Sequence, residues 1–314
     1  MQRLKKILIV VIGLLVALVA LDFTLDFFAR RNRVQEMGKL NSVIKRQFDP
    51  DIVVWGSSFA WVGVNPDIIS EKTHAHAYNM AFDGSSFDLY NGVVNQMLDY
   101  STTCRTMIFV VSYNDFKKHD KIYHQEIYLP YLSNDNIYKC LSNVNRELWK
   151  SRFIPFYKYT LRGEIYYKYV LKGIQEFIGH PYPCKEINGY LPLQLKWSEE
   201  NDEKYDTKVS IEFNDGNFID FKNVINRVKS KGIRPIIIIP PHHKIGLNSF
   251  SDFDILRNNL NEFSRKEHVI YSDFTKTSLS DNIDLFYNGG HLNEDGSLIF
   301  SRMLADSIVC WEQR

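Results

Sequence analysis

Several side chains in this sequence have the chemistry for nucleophilic catalysis, and each stands where an apolar run gives way to glycine or polar residues. Asp51-Ile-Val-Val-Trp-Gly-Ser-Ser-Phe59 runs β-branched and aromatic residues straight into Gly56-Ser57-Ser58. A short apolar run that ends on Gly-Ser reads as a buried strand whose last residues turn out of the sheet. Open α/β sheets bind ligands outside the carboxyl ends of their strands, so a serine there is a candidate nucleophile once a base reaches it. The same composition also makes a plain turn. Three histidines stand at the ends of later runs. His242 and His243 end the run Arg234-Pro-Ile-Ile-Ile-Ile-Pro-Pro-His-His243, as candidate substrate contacts or as caps of the strand. His291 lies in the glycine-flanked loop of Leu285-Phe-Tyr-Asn-Gly-Gly-His-Leu-Asn-Glu-Asp-Gly-Ser297, just ahead of an amphipathic helix. No carboxylate or cysteine stands at ligand spacing from the paired histidines, so they are not read as a metal site.

Two further positions offer hydrogen-bond donors to a developing negative charge. Gly84, in Ala77-Tyr-Asn-Met-Ala-Phe-Asp-Gly-Ser-Ser86, sits at a strand-to-helix junction, where a backbone N–H approaches a ligand with no side chain in the way. Asn114 follows the run Thr106-Met-Ile-Phe-Val-Val-Ser-Tyr-Asn-Asp115, and its amide is suited to an oxyanion. A turn at Gly84 and a cap at Asn114 are the plain alternatives.

Positioning these residues requires a sheet. Apolar runs at 51–55, 77–82, 106–111, 234–239 and 268–271 alternate with amphipathic helices, among them 218–231 closed by Gly232. That rhythm predicts right-handed crossovers and a parallel sheet: a flavodoxin-like, three-layer α/β/α fold. The α/β domain is expected over 51–115 and 211–314. Between them, residues 116–210 lose the strand signals and become dense in Tyr and Lys, which reads as a mostly helical, aromatic-rich insertion or cap.

Met1–Arg33 reads as a membrane anchor, with residues 34–50 as a partly helical connector. Arg3, Lys5 and Lys6 precede fifteen uncharged residues, Ile7–Leu21, and Phe23, Leu25, Phe27 and Phe28 extend the apolar stretch around Asp22 and Asp26. A cleaved signal peptide and a buried helix are the rival readings; no A-x-A pattern closes the run, which weighs against cleavage. A short basic N-terminus ahead of a first apolar run usually stays inside, placing residue 34 onward outside the cytoplasmic membrane.

Composition sets the outer limits. Of 314 residues, 45% are hydrophobic and 24% charged, as in globular proteins, and 38 Lys and Arg against 37 Asp and Glu exclude an electrostatic nucleic-acid binder. The four cysteines at 104, 140, 184 and 310 lack metal spacing and are too few for a disulfide scaffold, leaving one or two bridges open. No cofactor signature is present.

Taken together, Gly56-Ser57-Ser58, Gly84, Asn114 and His291-Leu-Asn-x-x-Gly before the last helix resemble the SGNH (GDSL-like) hydrolase superfamily, in particular its membrane-anchored cell-envelope branch, the relatives of the D-alanine transfer protein DltD and of alginate O-acetyltransferase-type proteins. The resemblance covers 51–114 and about 218–308. It implies Ser58 as nucleophile, Gly84 and Asn114 with the Ser58 N–H as oxyanion hole, and His291 as general base. The family places an Asp three residues before the histidine; here that residue is Asn288, which can hold the imidazole but cannot stabilise its charge. Asp284 or Asp281 in its stead, a Ser–His dyad, or lost catalysis are the three accounts of that change. The implied activity is a membrane-anchored serine esterase or O-acyltransferase acting on a cell-envelope or secreted polysaccharide, with the membrane, a carbohydrate acceptor and a membrane acyl-donor protein as partners. The rivals are a non-catalytic scaffold or glycan-binding subunit, and a generic flavodoxin-like domain with its Ser and His far apart.

Overall fold

A computed structural model describes residues 2–33, 35–161, 163–198 and 205–313, side chains 163–165 excepted. The chain forms two compact units, one of residues 1–47 and 120–184, the other of 48–119 and 185–314.

The larger unit is built on a five-stranded parallel sheet of order β2-β1-β3-β4-β5, with strands β1 (Ile52–Gly56), β2 (Ala77–Asn79), β3 (Thr106–Val110), β4 (Arg234–Ile239) and β5 (Ile270–Asp273). This is the doubly wound order expected from the sequence, and its switch point, where ligands bind in such sheets, falls between β1 and β3. The strands are near-continuous apolar runs because both faces are covered. On one face Ile52, Val54, Ile108, Val110, Ile236 and Ile238 pack with Phe300, Leu304 and Ile308 of the C-terminal helix Glu294–Glu312. On the other, the ring of Phe109 meets that of Phe221 in the helix Asp215–Ser230 at 5.7 Å, and Phe221 meets Phe87 of the helix Phe87–Leu98 at 5.1 Å. Each such fully buried side chain contributes about 1.5–3 kcal/mol relative to exposure.

The smaller unit is helical. Helix α1 (Gln2–Ala29) is long and apolar enough to cross a membrane, and none of its most apolar 18-residue window is buried. Helix α2 (Gln35–Ile44) buries Met37, Leu40 and Val43, the helical spacing visible in the sequence. Short helices follow: α3 (Gln125–Tyr128), α4 (Asp135–Val144), α5 (Leu148–Phe153) and α6 (Tyr157–Thr160), then the longer α7 (Gly163–Phe177). At Gly173 the backbone of α7 comes so close to α1 that a Cβ would collide with the Phe28 carbonyl oxygen. The last turns of α1 are tied in by charge. Lys158 Nζ lies 3.0 Å from Asp22 Oδ2 and 2.7 Å from Asp26 Oδ2, and the Tyr159 and Tyr166 hydroxyls donate to Asp26 Oδ1 at 2.6 and 3.1 Å. These groups are well satisfied, as buried charge requires.

Candidate active site

Ser58 sits one residue past the turn that ends β1. Gly56 makes that turn feasible: a Cβ there would lie 2.7 Å from the Val110 carbonyl oxygen and 2.9 Å from the Ala60 Cβ. The next residues close into a single helical turn, Ser58–Trp61, so the Ser58 N–H belongs to the first turn, whose N–H groups have no partner within the helix. This turn is braced from β2. Asn79, fully buried, donates through Nδ2 to the carbonyls of Ala60 (2.7 Å) and Val64 (2.8 Å) and accepts from the Ala81 N–H at 3.0 Å.

The histidine arrives from the other end of the chain. The loop after Leu285 is pinned at its base: Asn293 N donates to Leu285 O at 3.0 Å, Asn293 Nδ2 donates to Asp284 O at 2.7 Å, and Phe286 bridges Leu292. Asn293 also caps the C-terminal helix, its Oδ1 accepting from Gly296 N at 3.1 Å. Two glycines let the loop close on its surroundings. A Cβ at Gly289 would lie 2.6 Å from the Tyr205 ring, and one at Gly290 2.6 Å from the Phe59 ring.

The result is a connected line of hydrogen bonds. His291 Nε2 lies 2.8 Å from Ser58 Oγ, and His291 Nδ1 lies 3.1 Å from Asn288 Oδ1. The orientation of the Asn288 amide is decided by its other partners: Oδ1 also accepts the backbone N–H groups of Gly290 (3.0 Å) and His291 (2.9 Å). An oxygen facing Nδ1 requires Nδ1 to carry the proton, which leaves the Nε2 lone pair to receive the Ser58 proton. Asn288 thus sets the tautomer and aim of the ring, two of the three tasks of a triad's acid; the third, stabilising the imidazolium by charge, it does not perform. Neither acidic neighbour stands in its place: Asp281 lies 3.6 Å from Lys244 and both Asp281 and Asp284 are exposed.

The ring is also held by its faces. It stacks on Phe59 at 4.2 Å between centroids and 8° between planes, and Tyr287 lies at 5.4 Å. Phe59 directly follows Ser58, so one short turn supplies both the hydroxyl and the platform for its base.

The other expected residues reach the same edge of the sheet by register rather than by contact with Ser58. Phe82 N donates to Gly56 O at 3.1 Å, which carries Gly84 (φ +56°) alongside the turn. Gly56 pairs with Val110, four residues before the exposed Asn114. Asp115 fixes that second turn: its buried carboxylate accepts from Ser112 N (2.7 Å), Ser112 Oγ (3.0 Å) and Tyr90 OH (3.2 Å). Burial pushes Asp115 up to about 7 despite those donors.

His242 and His243 are both buried. His243 caps the helix Lys244–Asn248, accepting from Ile245 N at 3.4 Å. His242 stacks on Phe59 at 5.2 Å and gives its Nδ1 proton to Pro240 O at 2.9 Å; burial pushes its pKa down to about 4, so it is neutral near pH 7. Among the described residues no group of three or more His, Cys, Asp or Glu side chains is placed to hold a metal ion. The sequence reading missed Phe59 and Asn79. The polar Asn79 inside an otherwise apolar run was the available signal for one of them; an aromatic in a strand-to-helix turn carries none.

Neither a protein-family model nor a curated protein matches the sequence. Solved structures are similar to it over most of its length. One, described as a lipolytic protein of the G-D-S-L family from Desulfitobacterium hafniense, is 11% identical with a TM-score of 0.40, over 82% of this chain and 98% of its own. A Bacteroides fragilis protein described as an acylhydrolase is 10% identical with a TM-score of 0.41, over 83% and 89%. A Streptococcus pneumoniae protein described as a platelet activating factor is 9% identical with a TM-score of 0.43, over 96% and 98%. Likeness of this degree assigns no chemistry, which has to be read from the site.

Proposed function

We propose that this protein is a serine esterase or O-acyltransferase, held at a membrane by α1, that passes an acyl group through Ser58. The observation that carries this reading is the 2.8 Å contact between Ser58 Oγ and the unprotonated nitrogen of His291, an imidazole whose tautomer Asn288 sets. Ser58 Oγ attacks an acyl carbonyl while His291 Nε2 takes its proton; the proton then goes to the leaving alcohol, and an ester to Ser58 remains. Attack by water gives hydrolysis, and attack by a sugar hydroxyl gives transfer. The Ser58 and Gly84 N–H groups and the Asn114 amide are the donors assigned to the oxyanion. A cell-envelope or secreted polysaccharide as acceptor, a membrane protein as acyl donor, and a globular part outside the cytoplasmic membrane follow from the envelope-branch resemblance and the basic residues ahead of α1.

The full-length chain in detergent, treated with a fluorophosphonate and analysed by peptide mass spectrometry, tests the chemistry without a substrate. Labelling is expected at Ser58, absent in Ser58→Ala and reduced by orders of magnitude in His291→Ala. An unlabelled folded parent would overturn it and favour the second reading, a non-catalytic scaffold or glycan-binding subunit, which the uncharged Asn288 supports.

A further inference from the structure

The uncharged part of α1 is shorter than a bilayer. Ile7–Leu21 spans roughly 22 Å at 1.5 Å per residue, against a hydrocarbon core of about 30 Å. The shortfall, about five residues, falls on Asp22–Asp26, where the structure offsets part of the charge. Both carboxylates are paired with Lys158, and Thr24 Oγ1 donates to the Ala20 carbonyl at 2.8 Å. Phe23 and Phe27, on the same turns, stay 69% and 43% exposed. In a bilayer spanned by α1, the helix would leave the hydrocarbon near Phe27, with Arg30 and Arg31 at the level of the lipid headgroups.

At that level the unit has a cavity of about 430 Å³ lined by Phe23, Asp26, Phe27, Arg30, Arg31 and Lys45. Its lining joins two aromatic side chains to three cationic ones. Asp26 is its acid, and that carboxylate is engaged by Lys158, Tyr159 and Tyr166, with Arg30 Nη2 3.5 Å from its Oδ2. Arg31 lies over the Phe27 ring at 4.2 Å, and Lys45 Nζ donates to Arg30 O at 2.9 Å. The cations crowd one another: burial, and then the charges of Arg31, Arg33 and Arg30, hold Lys45 below its ordinary pKa. An anion placed among them relieves that repulsion, and Phe23 and Phe27 offer its neighbour an apolar wall.

We propose that this cavity binds an anionic phospholipid of the leaflet in which α1 ends, its phosphate held by Arg31 and Lys45 and an acyl chain laid along Phe23 and Phe27. The proposal rests on α1 spanning the membrane. Basic residues beside a membrane helix attract anionic headgroups, and the paired aromatics add contact for the chain.

Native mass spectrometry of the full-length chain, in detergent with equimolar phosphatidylglycerol and phosphatidylcholine, reads the site directly. Retention of one phosphatidylglycerol is expected, preferred roughly tenfold or more. The preference should vanish in Arg31→Gln/Lys45→Gln and persist in Lys45→Arg and in Arg3→Gln/Lys5→Gln/Lys6→Gln. Equal retention of both lipids by the parent, or a preference that survives the Arg31→Gln/Lys45→Gln change, overturns the site. Displacement by millimolar glycerophosphate overturns the lipid and leaves a phosphate site. Alkaline carbonate extraction of membranes checks the premise separately: a chain that stays with the membrane keeps the anchor whatever the lipid result, and a chain that is released removes both.

Discussion

Asn288 holds the base without charging its surroundings, and restoring a carboxylate there measures what the missing charge is worth. An Asp would still accept from His291 Nδ1 and from the two backbone N–H groups, since all three bonds use Oδ1. Asn288→Asp should raise the rate of fluorophosphonate labelling at Ser58 by about 10-fold or more, given that the reverse change in a complete triad costs about 10⁴. An unchanged rate would mean that the line of hydrogen bonds is not the limiting element. Asp115 makes a different prediction. A carboxyl that the fold holds at about 7, above its ordinary 3.8, binds its proton more tightly folded than unfolded. Its stabilising contribution is therefore complete below about pH 4 and is lost as pH rises through about 7. Asp115→Asn cannot ionise, so its melting temperature should fall less than the parent's between about pH 4 and pH 8; parallel profiles would show that Asp115 is ionised throughout. The residues that carry the site were legible because their types are unusual where they stand: serines after an apolar run, a histidine between glycines and a helix. Phe59 was not legible, because its value lies in which rings it meets, and His291 comes from more than two hundred residues away.

At the scale of elements, the turn Ser58–Trp61 has little of its own to hold it: four residues make one turn, below the length at which helices are stable alone. Its carbonyls lean on Asn79 in the neighbouring strand. Asn79→Ala removes the bonds to Ala60 O, Val64 O and Ala81 N together, a loss of about 2–4 kcal/mol. Chemical denaturation should show that loss, and Ser58 labelling should slow with it; a variant as stable as the parent would assign the brace to other contacts. The sheet itself was readable, since runs such as Ile236–Ile239 have one plausible state once helices flank them. The strand ends were less so: β5 runs Ile270–Asp273 where the apolar signal suggested 268–271, because pairing with Ile236–Ile239, not hydropathy, decides its extent. His243 shows the same limit. Its side chain is taken up by a helix start, Lys244–Asn248, too short to leave a periodic signal.

At the scale of the molecule, sequence runs and spatial units do not coincide. Residues 185–198 carry no strand signal, yet they belong with the sheet: Trp61 Nε1 donates to Glu186 at 2.6 Å, and Leu191 N donates to Trp61 O at 3.0 Å. Such long-range partners leave no local pattern. The ends of α1 are the same kind of case, since Asp22 and Asp26 look like interruptions of an apolar run until Lys158 is placed beside them. That pairing has a consequence for how the protein is made. A ribosome delivers Asp26 more than a hundred residues before Lys158, roughly ten seconds earlier at common synthesis rates. The two units are nested in the same way, each begun before the other is complete, and the sheet waits for β4 until the helical unit has all its residues. The nascent chain thus carries Asp22 and Asp26 at the end of its first helix with Arg30 already beside Asp26, while the Lys158 that holds both acids is made only with the rest of the helical unit.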